Sequence, residues 1–220
     1  FLGILPKSTE KWVADFSVDT SVREMVDGVI EGDFLTLPIR ENHFDIVFMF
    51  HTLEHFNDPG LALRRVKELL SSDGKLVIEV PNFAYEACHR PHYTIFHMHI
   101  SLFTPTSLLQ LLARHGFICS RFFKQDEVLF AEFCIGSHGI ENHVEESKSL
   151  LSHLATNIDE CSVKLSKAIS LCKAGELAIF GGGGATTLFL HNYSFLIERV
   201  NYALDNDLNK LDKFLCNGKV

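Results

Sequence analysis

The stretch IVFMFHTLEHFNDPGLALRRVKELLSSDGKLVIEVPNF, residues 46–83, decides the fold class of this chain. It opens inside a continuous apolar run, Phe44–Phe50, which is typical of a strand buried on both faces. Leucine and valine then recur at helical spacing, with Asp58 at the N-cap, Pro59 as the first helical residue and Gly74 after the helix. KLVIEVPN predicts a second strand. This order of strand, helix and strand predicts a parallel, doubly wound sheet of the α/β class.

Two shorter strands are predicted before this stretch, and an antiparallel pair after it. Residues 11–18 (KWVADFSV) and 28–35 (GVIEGDFL) are rich in apolar side chains. Residues 84–104 are an aromatic- and histidine-rich connection without a regular pattern. TPTSLLQLLARHGF is typical of an amphipathic helix ending at Gly116, and ICSRFFKQDEVLFAEFCIG has two β-like halves around a polar turn. We expect this pair to close the sheet.

A change of pattern near Ile140 predicts a second, smaller α/β unit. Residues 141–175 predict one long amphipathic helix. ELAIFGGGGATTLFLHNYSF predicts a strand, a glycine turn and a helix, and RVNYALDND predicts another strand. We therefore divide the chain into residues 1–137 and residues 138–220.

Composition excludes several classes of partner. The net charge is −8 and there is no long basic run, so we expect no nucleic-acid partner. No apolar run approaches the roughly 20 residues that cross a bilayer, so we expect no membrane partner. The six cysteines show no C-x-x-C spacing. We therefore expect reduced thiols, no thiolate zinc site and a cytoplasmic location.

The segment HTLEH brings three ionisable side chains together: His51, Glu54 and His55. They are interpreted as a metal cluster, as one wall of a cofactor pocket, or as structural histidines. His51 and His55 are four apart, as in a helical zinc pair, but the segment is a loop and does not match H-E-x-x-H. We favour the pocket wall and assign no metal.

A second group of histidines lies in the irregular connection. It contains His89, His92, His97 and His99. Solvated or core histidines, a substrate-facing general base and a metal site all remain open for this group. Histidine titrates near neutral pH and suits a general base; the candidate catalytic residues are His99 first and His97 second, the two that the family resemblance given below implies.

Four segments in order resemble the class I S-adenosylmethionine-dependent methyltransferases over roughly residues 1–123: VADFS, EGDFLTLPIRENHFDIVFMFHTLEH, LLSSDGKLVIEVPNF and HISLFTPTSLLQLLARHGF. The resemblance implies S-adenosyl-L-methionine as the cofactor. It implies that Asp15 accepts hydrogen bonds from the ribose hydroxyls and that Asp33 accepts from the adenine amino group. The positions implied to contact the cofactor are Asp15, Phe16, Asp33, Phe34, Phe50 and His51, and Asn82 is implied to contact the substrate.

The family's glycine-rich first loop is not found in the sequence. The spacing from Phe1 to Asp15 is about that between the end of this loop and the ribose-binding acid in the family. We therefore expect the first strand and its loop to precede Phe1, and the last residues, LCNGKV, to be the start of another strand. This 220-residue chain is accordingly expected to bind the cofactor weakly or not at all.

The second unit narrows the resemblance to C-methyltransferases that act on nucleotide-linked deoxysugars. AIFGGGGATTLFLHNYSFLIERVNYALDND is similar to their C-terminal domain, without its usual lysine. Their Y-H-E-H motif corresponds to Phe96, His97, Met98 and His99, so both histidines match but the tyrosine and glutamate do not. The resemblance implies a small sugar or nucleotide-sugar acceptor, C- or O-methylation and a possible homodimer.

The glycine turn Gly181–Gly184 has two interpretations. It follows a strand, precedes a helix and is followed about 20 residues later by Asp205, as in a dinucleotide site of an NAD(P)-dependent oxidoreductase. The family resemblance instead implies an accessory domain in which Gly182, Gly183 and Asp205 help to hold the nucleotide-sugar. A non-catalytic methyltransferase-like protein is the third possibility, because two residues of the Y-H-E-H motif differ.

Overall fold

The computed structural model describes residues 2–39, 41–94, 98–137, 144–171, 177–180 and 184–205. The strands are β1 (Trp12–Asp15), β2 (Gly28–Glu31), β3 (Phe44–Phe50), β4 (Leu70–Pro81), β5 (Phe117–Lys124), β6 (Val128–Ile135), β7 (Leu177–Phe180) and β8 (Val200–Leu204). The helices are α1 (Thr20–Arg23), α2 (Pro59–Leu69), α3 (Phe83–His89), α4 (Pro91–Thr94), α5 (Pro105–Arg114), α6 (Val144–Leu171) and α7 (Gly184–Asn192). Short 3₁₀ turns lie at Leu2–Ile4, Leu53–His55 and Ser194–Leu196.

The main sheet has the order β3-β4-β6-β5. β3 and β4 are parallel, whereas β6 is antiparallel to both of its neighbours. The α/β fold class and the closing antiparallel pair are thus confirmed. β4 is the central strand, and Leu76, Ile78 and Val80 on it are buried beneath α2 and α5 in one apolar core.

Both helices that cover this sheet begin as the sequence predicts. The Asp58 side chain accepts from the Leu61 N–H at 2.9 Å, which caps α2. Thr104 and Ser107 form a reciprocal capping box at α5. The prediction that α2 runs to Gly74 is wrong, because the chain turns extended at Leu70, whose buried side chain joins the core and whose backbone pairs with β3.

The prediction that β3 is buried on both faces is also wrong. Ile46 is 46% exposed, and Phe48 is exposed as well. On the side away from β4, β3 faces a groove of about 370 Å³, whose opposite wall contains Trp12, Val13 and Ala14 of β1. Within the described residues no strand lies between β1 and β3, and β1 pairs only with β2, in parallel. We call this space the β1–β3 groove.

The remaining predicted elements are present with changed limits. The strands predicted at 11–18 and 28–35 are shorter, because β1 and β2 pair over only four residues each. The connection at 84–104 contains two short helices, α3 and α4. The long helix predicted at 141–175 is described from Val144 to Leu171, and the residues on either side of it lie outside the described part.

The second unit has its own small sheet and core. β7 and β8 pair in parallel and are connected through α7. Ile169, Leu190, Tyr193 and Leu196 form its buried cluster. α6 also packs on α3, where the Asn157 side chain donates to the Ala87 carbonyl at 2.8 Å. None of the described helices is apolar over a stretch long enough to span a membrane.

Candidate functional site

The carboxyl ends of three parallel strands meet at one edge of the molecule. The starts of β1 and β3 lie together, since the Trp12 ring is 6.3 Å from the Phe44 ring. Both strands run along the β1–β3 groove from there, and β2 runs parallel to β1. Polar residues that follow these strands are therefore brought to the same edge, which is where ligands bind in open α/β sheets.

Four of the predicted cofactor residues lie at the ends of β1 and β2. Asp15 is the last residue of β1 and is exposed, and Phe16 beside it is 78% exposed. Asp33 is also exposed, and its Oδ1 accepts from the Leu35 N–H at 3.0 Å. Phe34 is half-buried; it lines the β1–β3 groove and meets the Phe56 ring at 6.1 Å. An exposed carboxylate beside an apolar ring suits a nucleoside, whose hydroxyls donate and whose base stacks.

Phe50 and Asn82 are held by the neighbouring strands. The half-buried Phe50 ring lies 6.1 Å from that of Phe130 on β6. Asn82 is buried after β4, and its amide nitrogen donates to the carbonyls of Gln125 and Asp126 in the β5–β6 turn. Its Oδ1 has no hydrogen-bond partner. The amide of Asn82 thus fixes the turn, and only its oxygen is left for the substrate contact that the sequence predicts.

His51 occupies a strained position at the end of β3. Its φ is 46°, in the left-handed region that non-glycine residues seldom adopt. Its N–H donates to the Glu79 carbonyl at 2.8 Å, which fixes this conformation against β4. Its ring lies between two carboxylates: Nδ1 is 3.3 Å from Glu54 and Nε2 is 3.3 Å from Glu79. The exposed His51 ring is therefore oriented at the site edge by acidic groups on both sides.

Glu54 is the residue whose importance the sequence does not reveal. Its side chain is 1% exposed, and neither carboxylate oxygen has a hydrogen-bond partner. Burial raises the pKa of this carboxyl, while His55 and His51 act in the opposite direction. The sequence identified Glu54 as one of three ionisable side chains in HTLEH but gave no sign that it is buried. The Ile100 and Ser101 N–H groups, which donate to its backbone carbonyl, come from far along the chain.

His99 is brought to the HTLEH segment. Its ring centroid is 5.1 Å from that of His55, whose Nδ1 lies 2.7 Å from the Met98 carbonyl. Burial, followed by the nearby His55 and His51, lowers the pKa of His99, so its ring is neutral near pH 7. A neutral imidazole has a lone pair available to accept a proton. His97, the second predicted base, and Phe96 lie outside the described residues.

The other histidines of the connection that precede residue 95 are His89 and His92. The His89 ring stacks on Tyr85, and its Nδ1 is 3.0 Å from the Tyr85 carbonyl. The side chain of His92 lies outside the described part. On α3, burial raises the pKa of Glu86 to about 7, opposed by Arg90 and reinforced by Glu127 and Glu54. Glu86 is therefore a second titratable group near this edge that the sequence alone did not identify.

The glycine turn of the second unit can be located only by its neighbours. β7 ends at Phe180 and α7 begins at Gly184, whereas Gly182 and Gly183 lie outside the described residues. Asp205 is exposed directly after β8. Because β7 and β8 are parallel, Asp205 lies at the same sheet edge as the carboxyl end of β7.

Comparison with known proteins decides the family. A methyltransferase domain model matches residues 8–119, more than half of the chain. The chain belongs to this methyltransferase family. The match covers β1 through α5, and with them Asp15, Asp33 and His51 at or after strand ends and His99 ahead of α5. The resemblance to class I methyltransferases is thereby confirmed at the level of the domain. No curated protein sequence matches the chain.

Solved structures similar to this methyltransferase domain are distant in sequence. One is a methyltransferase of Thermotoga maritima described as a possible histamine N-methyltransferase: identity is 19%, coverage 56% of this chain and 72% of that one, and the TM-score 0.45. Another is a Burkholderia thailandensis 1,6-didemethyltoxoflavin N1-methyltransferase with bound S-adenosylhomocysteine; identity is 17%, coverage is 57% of this chain and 61% of that one, and the TM-score is 0.46. A third is the PH0226 protein of Pyrococcus horikoshii; identity is 17%, coverage is 58% of this chain and 72% of that one, and the TM-score is 0.48.

Proposed function

We propose that this protein transfers the methyl group of S-adenosyl-L-methionine to a small molecule, a sugar or nucleotide-sugar, at carbon or oxygen. The observation that supports it most is the meeting of the exposed Asp15 and Asp33 with Phe34 at the carboxyl edge of a methyltransferase domain. Asp15 holds the ribose, Asp33 the adenine amino group, and Phe34 the face of the base. Phe16, Phe50 and His51 complete the wall around the cofactor.

The cofactor supplies a sulfonium methyl group that is already reactive. The protein therefore has two tasks: to align the acceptor with the methyl group and to remove a proton from the acceptor. His99 accepts this proton, since its ring is neutral near pH 7 and lies at the same edge. His97 is the second proton acceptor we propose, and Asn82 contacts the acceptor through its unpaired oxygen.

The β1–β3 groove accommodates one more strand, parallel to both neighbours. In the described part of the chain the strand neighbour of β3 is β4 and that of β1 is β2, and apolar side chains line the groove between them. An unpaired edge lined by apolar residues stabilises an added strand through backbone hydrogen bonds and burial. Such a strand ends at the edge where Asp15 and His51 lie, and its following loop completes the cofactor pocket.

The second unit, residues 138–220, serves the acceptor. Gly182, Gly183 and Asp205 at the end of the parallel β7–β8 pair hold the nucleotide part of the sugar, and the protein functions in the cytoplasm as a homodimer. The same parallel pair favours a second candidate function, an NAD(P)-dependent oxidoreductase. Titration with NADH, followed by its fluorescence, separates the two: saturable binding that is lost on Asp205→Ala favours the oxidoreductase.

The proposed cofactor contacts are tested with two matched aspartate variants. Asp15→Ala removes a carboxylate at the carboxyl end of β1, whereas Asp45→Ala removes an exposed one near the amino end of β3. In a version of the chain extended at the amino terminus by an added strand and glycine-rich loop, Asp15→Ala should weaken binding of S-adenosylmethionine by roughly 10- to 150-fold, the value of a charged hydrogen bond. Asp45→Ala should leave it unchanged. Equal affinity of the Asp15 variant and the unmodified protein would contradict the assignment.

A further inference from the structure

Glu54, His55 and His99 form a cluster that joins two distant parts of the chain; we call it the Glu54 cluster. One potential ligand atom from each residue lies within 4.8 Å of the other two. Glu54 and His55 belong to the 3₁₀ turn after β3, while His99 precedes α5 by a few residues. The Ile100 and Ser101 N–H groups donate to the Glu54 carbonyl at 2.9 and 3.0 Å, so backbone hydrogen bonds hold the two segments together.

The Glu54 carboxylate requires a positive partner. The side chain is 99% buried, and neither oxygen accepts a hydrogen bond. A buried ionised carboxylate without a partner costs several kcal/mol. The histidine nitrogens paired with its Oε1 are His51 Nδ1 at 3.3 Å and His55 Nε2 at 3.8 Å. The ionised carboxylate is therefore stabilised by positive charge beside it, on these rings or on a bound cation.

The hydrogen bond of His55 sets the protonation of its ring. The Met98 carbonyl, 2.7 Å from Nδ1, can only accept, so Nδ1 carries the proton. In the neutral ring, Nε2 then has its lone pair exposed toward the Glu54 carboxylate, which is also only an acceptor. A histidine that donates one N–H to a carbonyl and directs the other nitrogen toward a carboxylate has the arrangement found in metal ligands. Two facing acceptors repel unless a proton or a cation lies between them.

We propose that Glu54, His55 and His99 bind one divalent transition-metal cation of the Zn²⁺ or Co²⁺ type. A carboxylate and two imidazoles are ligands for these ions, and three protein ligands leave a position open for a substrate oxygen. Bond lengths of about 2.0–2.2 Å require the ligand atoms to approach by rotation of the two imidazoles, which are on the less buried side of the cluster. His51 Nε2 and the Glu79 carboxylate lie 3.3 Å apart at the outer side of this site.

The cation has a role in the proposed methyl transfer, and this role rests on that proposed function. It would bind a hydroxyl oxygen of the acceptor next to the cofactor edge and make loss of the hydroxyl proton easier. The lone pair of His99 can bind a cation or accept a proton, but not both. Cation binding and the general-base role of His99 are therefore alternatives for one ring, and in the cation-bound form the acidified hydroxyl would release its proton to solvent water.

The sequence could not supply the third ligand. His51 and His55 at four-residue spacing raised the metal interpretation, and the absence of H-E-x-x-H weighed against it. His99 lies about 45 residues further along, and only folding brings it to His55. The four-residue spacing suggested His51 and His55 as the ligand pair in this segment, whereas the ligands proposed from the geometry are Glu54 and His55.

The test is a titration of the chelator-treated, dialysed protein with Co²⁺ and Zn²⁺. Binding is read by calorimetry and by the visible absorption of bound Co²⁺, so no enzymatic activity is needed. We expect one ion per chain. His99→Ala and Glu54→Gln should each lower the affinity for the metal ion by more than the roughly 10- to 100-fold that removal of an outer-shell partner costs. His153→Ala, an exposed histidine on α6, is the control and should bind as the unmodified protein does.

Each outcome decides the proposal. No saturable Co²⁺ binding by the unmodified protein overturns it, as does unchanged affinity in a folded His99→Ala variant. If Glu54→Gln does not fold, as judged by circular dichroism, His55→Ala replaces it with the same expectation. S-adenosylmethionine binding, measured separately with chelator present, tests the proposed function. Cofactor binding without metal binding would therefore reject the cation site alone.

Discussion

The β1–β2 pair and the main sheet contain similar apolar strands in different surroundings. In β4, Leu76, Ile78 and Val80 are buried between two covering helices and two neighbouring strands. In β1, Trp12 and Ala14 are exposed along the β1–β3 groove, although their sequence is equally typical of a strand. The difference shows that apolar pattern predicts a strand, whereas the neighbours present decide whether the strand is buried.

The largest effect is expected in the core of the main sheet. Leu63 and Leu61 lie on α2, but Leu63 is 0% and Leu61 is 40% exposed. Leu63→Ala should lower the free energy of unfolding by about 2–5 kcal/mol because it leaves a cavity. Leu61→Ala should change it by less than about 1 kcal/mol. Urea unfolding measures both, and equal losses would contradict the placement of the core on one face of α2.

A strand added to the β1–β3 groove should change the cost of a substitution there. Phe48 on β3 faces this groove and is partly exposed in the chain as described. Phe48→Ala should cost about 1–2 kcal/mol in the 220-residue chain and about 3–4 kcal/mol in a version that carries an added amino-terminal strand, since a buried phenylalanine is worth about 3–5 kcal/mol. The free energy of unfolding is measured for both lengths. The same cost in both would mean that the groove stays open.

Two glycines, one from each region, should respond differently to alanine. Gly116 between α5 and β5 has a φ of 79°, which a Cβ disfavours by about 1–2 kcal/mol. A Cβ on Gly3 would meet only the Met25 side chain, at an ordinary 3.7 Å. Gly116→Ala should therefore lower the melting temperature, while Gly3→Ala should leave it within error. If the Gly116→Ala variant were as stable as the parent protein, the claim that the backbone at residue 116 requires glycine would be wrong.

The smallest effects concern one carboxylate in each region. Lys75 and Ser120 hold the pKa of Glu132 below its usual 4.5, and Arg23 and the Val18 N–H do the same for Glu31. A lowered pKa means that the folded state favours the charged form. The stabilisation is therefore present above pH 4.5 and is lost as the pH falls through the folded-state pKa.

Variants of these two carboxylates test the comparison. Glu132 connects β4 with β5 and β6, so Glu132→Gln should lower the urea midpoint at pH 7 and have less effect at pH 3. Glu31→Gln acts only on the β1–β2 region and should leave the midpoint of the main sheet unchanged. A larger shift from Glu31→Gln would indicate that the two regions unfold together.

Sequence reasoning predicted what depends on local pattern. The caps at Asp58 and Thr104 and the strand after α2 follow from residue type and spacing. It failed where tertiary contacts override pattern: Leu70 leaves the helix because its side chain completes the core, and β3 is exposed because no described strand covers its free edge. In the site, the family resemblance predicts Asp15 and Asp33 as cofactor contacts, and both are exposed at or just after the ends of β1 and β2.

The burial of Glu54 and its meeting with His99 were not predictable. Both depend on hydrogen bonds between the turn after β3 and the segment before α5, which no local pattern encodes. The metal interpretation of HTLEH was therefore weighed with only two of the three side chains that the structure brings together. Residue spacing finds ligands on one element, but it cannot find a ligand contributed by another.

The account depends on one claim, that a strand in the β1–β3 groove completes a cofactor site already outlined by Asp15, Asp33 and Phe34. The most direct measurement is a calorimetric titration of S-adenosylmethionine into two forms of the protein, the 220-residue chain and a version of it extended at the amino terminus by an added strand and glycine-rich loop. We predict saturable binding to the extended chain and weak or undetectable binding to the shorter one. Micromolar binding to the shorter chain, or none to either, would contradict the claim.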